Sequence, residues 1–390
     1  MIDTVHNLGL RLASGAFRSS PIPSLLNISY TPPLNLIRKK NIMLLSARRA
    51  QNNLDIHHGI TTELQDSNFK YSDIINHECP ITPPWTMDID INLKLSSLPK
   101  SETTPIIYKN ELQSILEGYQ DHICFFTDGS KTETGVGAAV TFNETIRMLK
   151  LIDYCSIYTA EALAISHALD IIKQDTINKS IILSDSLSTL TSIQNFFQPN
   201  SISQKIQNQI SYLQTNSQTI TFIWIPSHIG IPGNELADIC AKQSISSPHS
   251  LVLCSYTLQD SKYFISEYIL KNWQHTWSTL RTKLNEIKPS ILPWPTIHLP
   301  RRQEVILNRI RIGHTWLIHK HLMTKTDPEP CLTCGEIPSV KHIICFCREF
   351  NDTRTKLKLA DNLQEALGPD PDNTQKIFIF LKLTKLYNLI

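Results

Sequence analysis

The sequence has no long apolar run, few cysteines and little net charge. No stretch of its 390 residues approaches the roughly 18 consecutive apolar residues of a membrane span, so we expect no membrane partner. Nine cysteines are too sparse for a disulfide scaffold, which favours a reduced, intracellular protein. A net charge of +2 predicts no partner by itself. These absences exclude membrane-spanning and disulfide-rich secreted classes.

The charges that are present divide unevenly along the chain. Residues 118–247 carry seven basic and eleven acidic side chains, a balance of −4. Residues 262–360 carry sixteen basic and eight acidic side chains, a balance of +8. An acidic segment can concentrate metal cations, and a basic segment can hold a polyanion such as nucleic acid.

Composition and apolar periodicity predict a globular chain of five consecutive segments. These are a helical segment over 1–55, a proline-rich linker over 56–117, a mixed α/β domain over 118–247, a basic helical module over 262–360 and a tail over 361–390. Helices are expected at 4–17 and 34–53, with an extended stretch near 85–93. The α/β domain is predicted to contain three strands, a helix, a strand, two helices, a strand and a helix.

Four acidic residues of the α/β domain stand in four different local contexts: Asp128, Glu161, Asp185 and Asp238. We expect Asp128 and Asp185 to end neighbouring strands at one rim of the sheet. We expect Glu161 and Asp238 in the first and second turns of their helices. Each acid alone is better explained as a turn, capping or solvated residue. Together they predict a site for two Mg²⁺ ions, which would activate a water molecule for attack on a phosphodiester. Mn²⁺ would be able to replace Mg²⁺ at such a site.

The stretches that carry these acids resemble a ribonuclease H domain from about residue 121 to 247. They are TDGS (127–130), TAEALAI (159–165), SDS (184–186) and WIPSHIGIPGNELAD (224–238). The resemblance implies a five-stranded mixed sheet flanked by helices and a metal-dependent endonuclease that cuts the RNA strand of RNA·DNA hybrids. It also implies that the four acids bind metal. By the same resemblance, His228 matches a mobile histidine that assists proton transfer or product release.

The sequence departs from this resemblance in the part that would bind the substrate. Only 52 residues separate Asp185 from Asp238, and the predicted elements use nearly all of them. No room remains for the additional basic helix with which some ribonucleases H hold the hybrid. Recognition would rest on RNA 2′-hydroxyls and phosphates, with the missing positive charge supplied by the basic module.

A Cys/His cluster within the basic module has the spacing of a zinc site. Cys331, Cys334, His342 and Cys347 offer four ligands, and Gly335 allows a tight turn after the second cysteine. Cys345 competes with Cys347 for the fourth position. The alternative is a set of reduced, buried cysteines without metal. Upstream, a basic stretch contains Arg301, Arg302, Arg309, Arg311 and His314, and is explained either by polyanion binding or as a solvated helix face.

Segments on both sides of the α/β domain resemble parts of non-LTR retrotransposon polyproteins of insects and other arthropods. Residues 273–277 (WQHTW), 309–315 (RIRIGHT) and the Cys/His cluster resemble the region after ribonuclease H, and residues 6–25 resemble the end of the reverse transcriptase region. No polymerase motif of the form Tyr/Phe-x-Asp-Asp occurs, so we expect no polymerase activity. The competing hypothesis is a nucleic-acid-binding remnant of a retroelement whose catalysis is unused.

Overall fold

The structure, a computed structural model, describes residues 2–55, 69–83, 86–99, 102–197 and 200–390. Packing divides the chain into two compact units. The central unit is Asn41–Ser266, and the discontinuous unit combines Met1–Lys40 with Glu267–Ile390. The five predicted consecutive segments stay a prediction, but the two ends of the chain clearly share one unit.

Seven strands form one mixed sheet in the central unit. They are β1 (Asp90–Asn92), β2 (Ile123–Thr132), β3 (Gly135–Phe142), β4 (Thr145–Leu151), β5 (Lys179–Ser184), β6 (Thr219–Trp224) and β7 (Leu251–Val252). Their order across the sheet is β1-β6-β5-β2-β3-β4-β7. The β2–β3 and β3–β4 pairs are antiparallel, and all other neighbours are parallel. The expected α/β fold is confirmed, with two short edge strands added to the five expected.

Helices flank this sheet and make up most of the discontinuous unit. In chain order they are α1 (Ile2–Ser14), α2 (Ile22–Ile28), α3 (Leu34–Gln51), α4 (Pro105–Leu116), α5 (Ile157–Gln174), α6 (Leu187–Gln194), α7 (Ser201–Thr215), α8 (Pro232–Ser244), α9 (Leu258–Thr279), α10 (Lys283–Ile287), α11 (Arg301–Ile312), α12 (Trp316–Thr324), α13 (Asn351–Leu357), α14 (Leu363–Ala366) and α15 (Pro371–Leu383). Among the helices described, none combines the length and apolar character that crossing a membrane requires.

Helices α5 and α8 pack on opposite faces of the sheet. A Cβ on Gly129 of β2 would lie 2.8 Å from the backbone nitrogen of Glu161 in α5. A Cβ on Gly137 of β3 would lie 2.0 Å from Oγ of Ser244 in α8. Gly129 pairs with Ala138, the neighbour of Gly137, and neighbouring residues of a strand point to opposite faces. The two glycines therefore admit one helix on each side.

Helix α5 begins earlier than the periodicity predicts. Its N-cap is Ser156, whose Oγ accepts a hydrogen bond from the backbone N–H of Thr159. The carboxylate of Asp260 accepts further hydrogen bonds from the Ser156 N–H and the Thr159 hydroxyl. Glu161 therefore lies in the second turn of its helix, and the expectation of the first turn was wrong.

The segment expected to be linker contributes to the sheet and to the core. Residues 56–68, 84–85 and 100–101 lie outside the described residues, and so does the start of the expected extended stretch. The rest of that stretch contains β1, which pairs in parallel with β6. Helix α4 follows, with Tyr108 and Leu112 buried. Because this segment has five prolines and weak periodicity, its edge strand and its short amphipathic helix were not predicted from the sequence.

Two apolar cores are found among the described residues of the discontinuous unit. One joins Leu10, Leu25 and Leu26 to residues after 267, including Trp273 and Trp277. Helix α2, which supplies two of these leucines, lies between the two helices predicted at 4–17 and 34–53 and was not itself predicted. Pro23 stands in its first turn, where proline is tolerated. The other core contains α15, with Ile377 and Phe380 fully buried, so the expected tail is an integral part of this unit.

Candidate functional site

Three of the four predicted acids converge on one point of the central unit. Carboxylate oxygens of Asp128, Glu161 and Asp185 all lie within 4.8 Å of one another. Asp185 directly follows β5, as expected, whereas Asp128 lies in the middle of β2, which continues to Thr132. Asp128 and Glu161 are buried and Asp185 is half-buried. The parallel pairing of β2 with β5 brings the two aspartates together.

Two glycines let helices lie close to β2. Gly129 follows Asp128 and lets the backbone of α5 approach β2, which brings Glu161 close to Asp128. Gly233, in the first turn of α8, lies against Phe126 of β2, and a Cβ there would lie 2.3 Å from the Phe126 ring. A larger residue at Gly129 would push α5, and Glu161 with it, away from β2, and a larger residue at Gly233 would collide with the Phe126 ring.

The pKa values of all three acids are raised above those of ordinary aspartate and glutamate side chains. Burial raises the pKa of Asp128 to about 7, and the charges of Asp185 and Asp238 add to the effect. Burial also raises the pKa of Glu161 well above its usual range, with further contributions from Asp128 and Asp185. Burial raises the pKa of Asp185 as well, opposed by a hydrogen bond with the Asn234 side chain. Removal from water and mutual repulsion both disfavour the charged forms.

One carboxylate oxygen of this group, Oε2 of Glu161, is particularly well suited to bind a metal ion. Glu161 is 7% exposed, and its Oε2 has no hydrogen-bond partner among the described residues. A buried carboxylate oxygen without a partner is costly, and a divalent cation would both satisfy it and offset the repulsion. The residues present therefore fit the hard, oxygen-liganded cations that the sequence predicts.

Asp238 and His228 belong to a neighbouring group. Atoms of His228, Glu235 and Asp238 that can bind metal lie within 4.8 Å of one another. Asp238 lies in the second turn of α8, as expected, and accepts a hydrogen bond of 2.7 Å from Nζ of Lys242. It does not join the close trio of acids, although its charge raises the pKa values of Asp128 and Asp185.

Two residues near this site were missed at the sequence level. Asn234 is buried, hydrogen-bonds Asp185 through its side chain, and keeps its Oδ1 without a partner among the described residues. Glu235 accepts a hydrogen bond of 3.0 Å from the N–H of Gly230. Both stand in the GNELAD stretch, where only Asp238 was assigned a role, and their position beside it is the signal that could have found them.

The basic stretch in α11 is largely engaged within the protein. Arg309 donates to the carbonyl oxygens of Gly15 and Ile390. Arg311 is buried and donates to the carbonyl oxygens of Leu367 and Gly368 at 2.8 and 2.7 Å. Neither guanidinium is free to bind a phosphate. Arg301 and Arg302 remain on the surface, where they contact Glu304 and Asn388, and His314 is partly buried.

The Cys/His cluster is assembled in the discontinuous unit. Ligand atoms of Cys331, Cys334, His342 and Cys347 lie within 4.8 Å of one another. Sγ of Cys347 is 3.8 Å from that of Cys331 and 3.9 Å from that of Cys334. With Zn–S bonds of about 2.3 Å, sulfur ligands of a tetrahedral site lie about 3.8 Å apart. The sulfur atoms thus have the spacing of a zinc site.

Cys347, and not Cys345, is grouped with Cys331, Cys334 and His342 among the described residues. Cys345 is buried in an apolar core and is not among the grouped ligands. His342 is also buried, and its Nδ1 lies 3.2 Å from Oε2 of Glu336. Its Nε2 has no hydrogen-bond partner among the described residues, which leaves that nitrogen for a metal. A carboxylate behind a ligating histidine is typical of zinc sites.

Comparison with known proteins identifies the central domain. Residues 120–246 match the family model described as RNase H. A search of curated proteins finds no match to the chain. The matched range begins just before β2, ends just after α8 and contains Asp128, Glu161, Asp185, His228 and Asp238. The chain therefore contains an RNase H domain where the motifs predicted one, with flanking segments on both sides that the match does not cover.

Proposed function

We propose that this RNase H domain makes the chain a divalent-metal-dependent endonuclease that hydrolyses the RNA strand of RNA·DNA hybrids. The observation that carries the proposal is the convergence of Asp128, Glu161 and Asp185 within 4.8 Å in a domain that matches this family. A cluster of buried carboxylates favours divalent cations, and such sites commonly hydrolyse phosphodiesters.

The residues that would hold the cations are Asp128, Glu161, Asp185 and Asp238. Carboxylate oxygens suit two Mg²⁺ ions, and Mn²⁺ would substitute. When bound, the ions would lower the pKa of a water molecule and stabilise the charge that develops on the leaving oxygen. With the cations bound, their positive charge would offset the burial and mutual repulsion of the four carboxylates, which would then be ionised at neutral pH. The protein keeps these carboxylates at the distances that bind the ions.

His228 would carry a proton between solvent and the reacting group. Its side chain is exposed, and its backbone has a φ of +58°. Glu235 and Asp238 each offer a carboxylate oxygen within 4.8 Å of a ring nitrogen of His228. An imidazole exchanges protons near neutral pH, which suits both activation of water and protonation of a leaving group.

We propose that the hybrid is recognised through RNA 2′-hydroxyls and phosphates. The acidic balance of residues 118–247 requires cations from elsewhere in the chain. Arg309 and Arg311 do not supply them, because both are engaged internally. The remaining exposed lysines and arginines of residues 262–360 are the candidates.

We also propose that Cys331, Cys334, His342 and Cys347 bind one structural Zn²⁺. The sulfur spacing and the partnerless Nε2 of His342 support this proposal. Four protein ligands leave no open position for substrate, which indicates a structural rather than a catalytic ion.

We propose further that the chain derives from the C-terminal part of an arthropod-type non-LTR retrotransposon polyprotein. Support comes from the motifs on both sides of the RNase H domain, at 6–25, 273–277 and 309–315. These flanking stretches belong to one compact unit, as expected of neighbouring parts of one ancestral protein.

Cleavage of a labelled hybrid tests the central proposal. The full chain with Mg²⁺ should cut the RNA strand of an RNA·DNA hybrid and leave the DNA strand and an RNA duplex intact. Asp128→Asn should abolish cleavage, because an amide is a much poorer ligand for the metal than a carboxylate. Absence of cleavage by the wild-type chain across a range of Mg²⁺ and Mn²⁺ concentrations would refute the proposal and leave a nucleic-acid-binding remnant.

A further inference from the structure

We infer that α4, which precedes the RNase H match, positions the loop that carries His228. The His228 loop comprises residues 225–231, between β6 and α8. The catalytic consequence of this inference rests on the function proposed above, whereas the structural contact does not. Residues outside the matched range would then form part of the working active site.

The loop and α4 share one apolar cluster. From the segment before the match come Leu95, Tyr108 and Leu112, and from the loop come Ile225, Ile229 and Ile231. All six are buried, and Tyr108 and Leu95 are only 1% exposed. Ile181, Leu183 and Ile223 of β5 and β6 lie in the same cluster. Helix α4 therefore covers the sheet and the base of the loop with a single apolar surface.

Burial alternates along the loop. Ile229 and Ile231 point into the cluster, whereas His228 and Gly230 are exposed. His228 adopts a left-handed backbone conformation with φ +58°, and Gly230 follows with φ +77°. A non-glycine residue holds this conformation only where its surroundings fix it. The buried isoleucines, together with the hydrogen bond from the Gly230 N–H to Glu235, provide that constraint.

Helix α4 also approaches the exposed side of the loop. A Cβ on Gly230 would lie 2.9 Å from Nζ of Lys109, the residue after Tyr108. The Tyr108 hydroxyl donates a hydrogen bond of 2.9 Å to the carbonyl oxygen of Leu98, which ties α4 to the segment after β1. The parallel pairing of β1 with β6 anchors that segment in turn. The loop is thus contacted by α4 at both its buried and its exposed positions.

The first test uses Leu112→Ala in the full chain, with Leu213→Ala as the matched control. Leu213 in α7 is also buried, belongs to the same unit and is absent from this cluster. We expect both variants to lose similar stability. Only Leu112→Ala should accelerate amide hydrogen exchange at Gly230 and Ile231. Equal exchange in the two variants would overturn the positioning role, whether or not the protein is an enzyme.

The second test measures hybrid cleavage well below the unfolding temperature. Leu112→Ala should lower kcat on the order of 10-fold or more, with little change in KM, because misplacement of a reacting group by about 1 Å can cost as much as 100-fold. Leu213→Ala should keep its kcat. In a His228→Ala background, Leu112→Ala should have no further effect on kcat. An undiminished effect in that background would show that α4 acts through something other than His228.

Discussion

Replacement of Cys347 by serine, compared with the same replacement of Cys345, gives the sharpest test of the Cys/His cluster. The two cysteines are buried and only two positions apart. Cys347 has its sulfur 3.8 and 3.9 Å from those of Cys331 and Cys334, whereas Cys345 lies in the apolar core. We expect zinc to be lost in Cys347→Ser and retained in Cys345→Ser.

The size of the effect follows from the geometry. The sulfur atoms are already close to the tetrahedral spacing of about 3.8 Å, so zinc binding requires little rearrangement. The free energy of binding of a structural zinc ion at pH 7 is roughly 10–16 kcal/mol. Glu336 contacts the proposed ligand His342 and does not itself bind the metal. Replacing a residue of this kind lowers metal affinity about 10- to 100-fold, so we expect Glu336→Gln to lower zinc affinity by that factor. Loss of a ligand itself should exceed 100-fold, or about 2.8 kcal/mol. Cys345→Ser should cost roughly 1–3 kcal/mol of stability through a buried hydroxyl, without changing zinc affinity.

The assay is zinc content by mass spectrometry after equilibration with a competing chelator of known affinity. The wild type and Cys345→Ser should retain one zinc ion per chain at a chelator strength that strips Cys347→Ser completely. Thermal unfolding in the same buffers separates lost metal from lost packing. Zinc retained by Cys347→Ser but lost by Cys345→Ser would refute the ligand set, and freshly purified, reduced wild type without zinc would refute the site.

Two further predictions concern charged residues in the two units. In buffer without divalent cations, Asp128→Asn should raise the unfolding temperature at pH 8, and the gain should shrink as the pH falls toward 4. The folded-state pKa of about 7 exceeds the unfolded value of about 3.9, so this carboxyl lowers stability as the pH rises between them. A gain independent of pH would contradict this account. Arg311→Ala should cost roughly 2–4 kcal/mol in urea unfolding, because two carbonyl oxygens lose a charged donor. The same change should leave the salt dependence of hybrid binding unaltered, whereas loss of a phosphate contact would reduce the slope by about 0.9.

The sequence predicts most of the α/β domain, because its elements follow simple patterns. The predicted order of three strands, a helix, a strand, two helices, a strand and a helix is the order of β2, β3, β4, α5, β5, α6, α7, β6 and α8. Apolar runs bounded by turns mark buried strands, and 3.6-residue periodicity marks the helices. The acids could be assigned because each stands inside a recognisable local stretch.

Features that depend on distant partners could not be predicted in this way. Nothing near Tyr108 indicates that α4 packs beneath the His228 loop, since the contact joins residues more than 100 positions apart. In the sequence, Arg311 is one of several arginines in a basic stretch. Its burial and its hydrogen bonds to the carbonyl oxygens of Leu367 and Gly368, more than 50 positions away, cannot be predicted from that stretch. The sequence likewise does not show that Cys347, which follows a short helical turn, lies beside Cys331 while Cys345 within that turn packs into an apolar core.

The discontinuous unit imposes an order on folding during synthesis. Leu10, Leu25 and Leu26 complete their core with Trp273, Trp277 and later residues. The N-terminal helices therefore leave the ribosome long before their packing partners exist, whereas the central unit has its whole sheet once Val252 has emerged. Domains usually fold from the N-terminus onward. The core that Leu10, Leu25 and Leu26 share with Trp273 and Trp277 can therefore form only after the whole central unit has been synthesised.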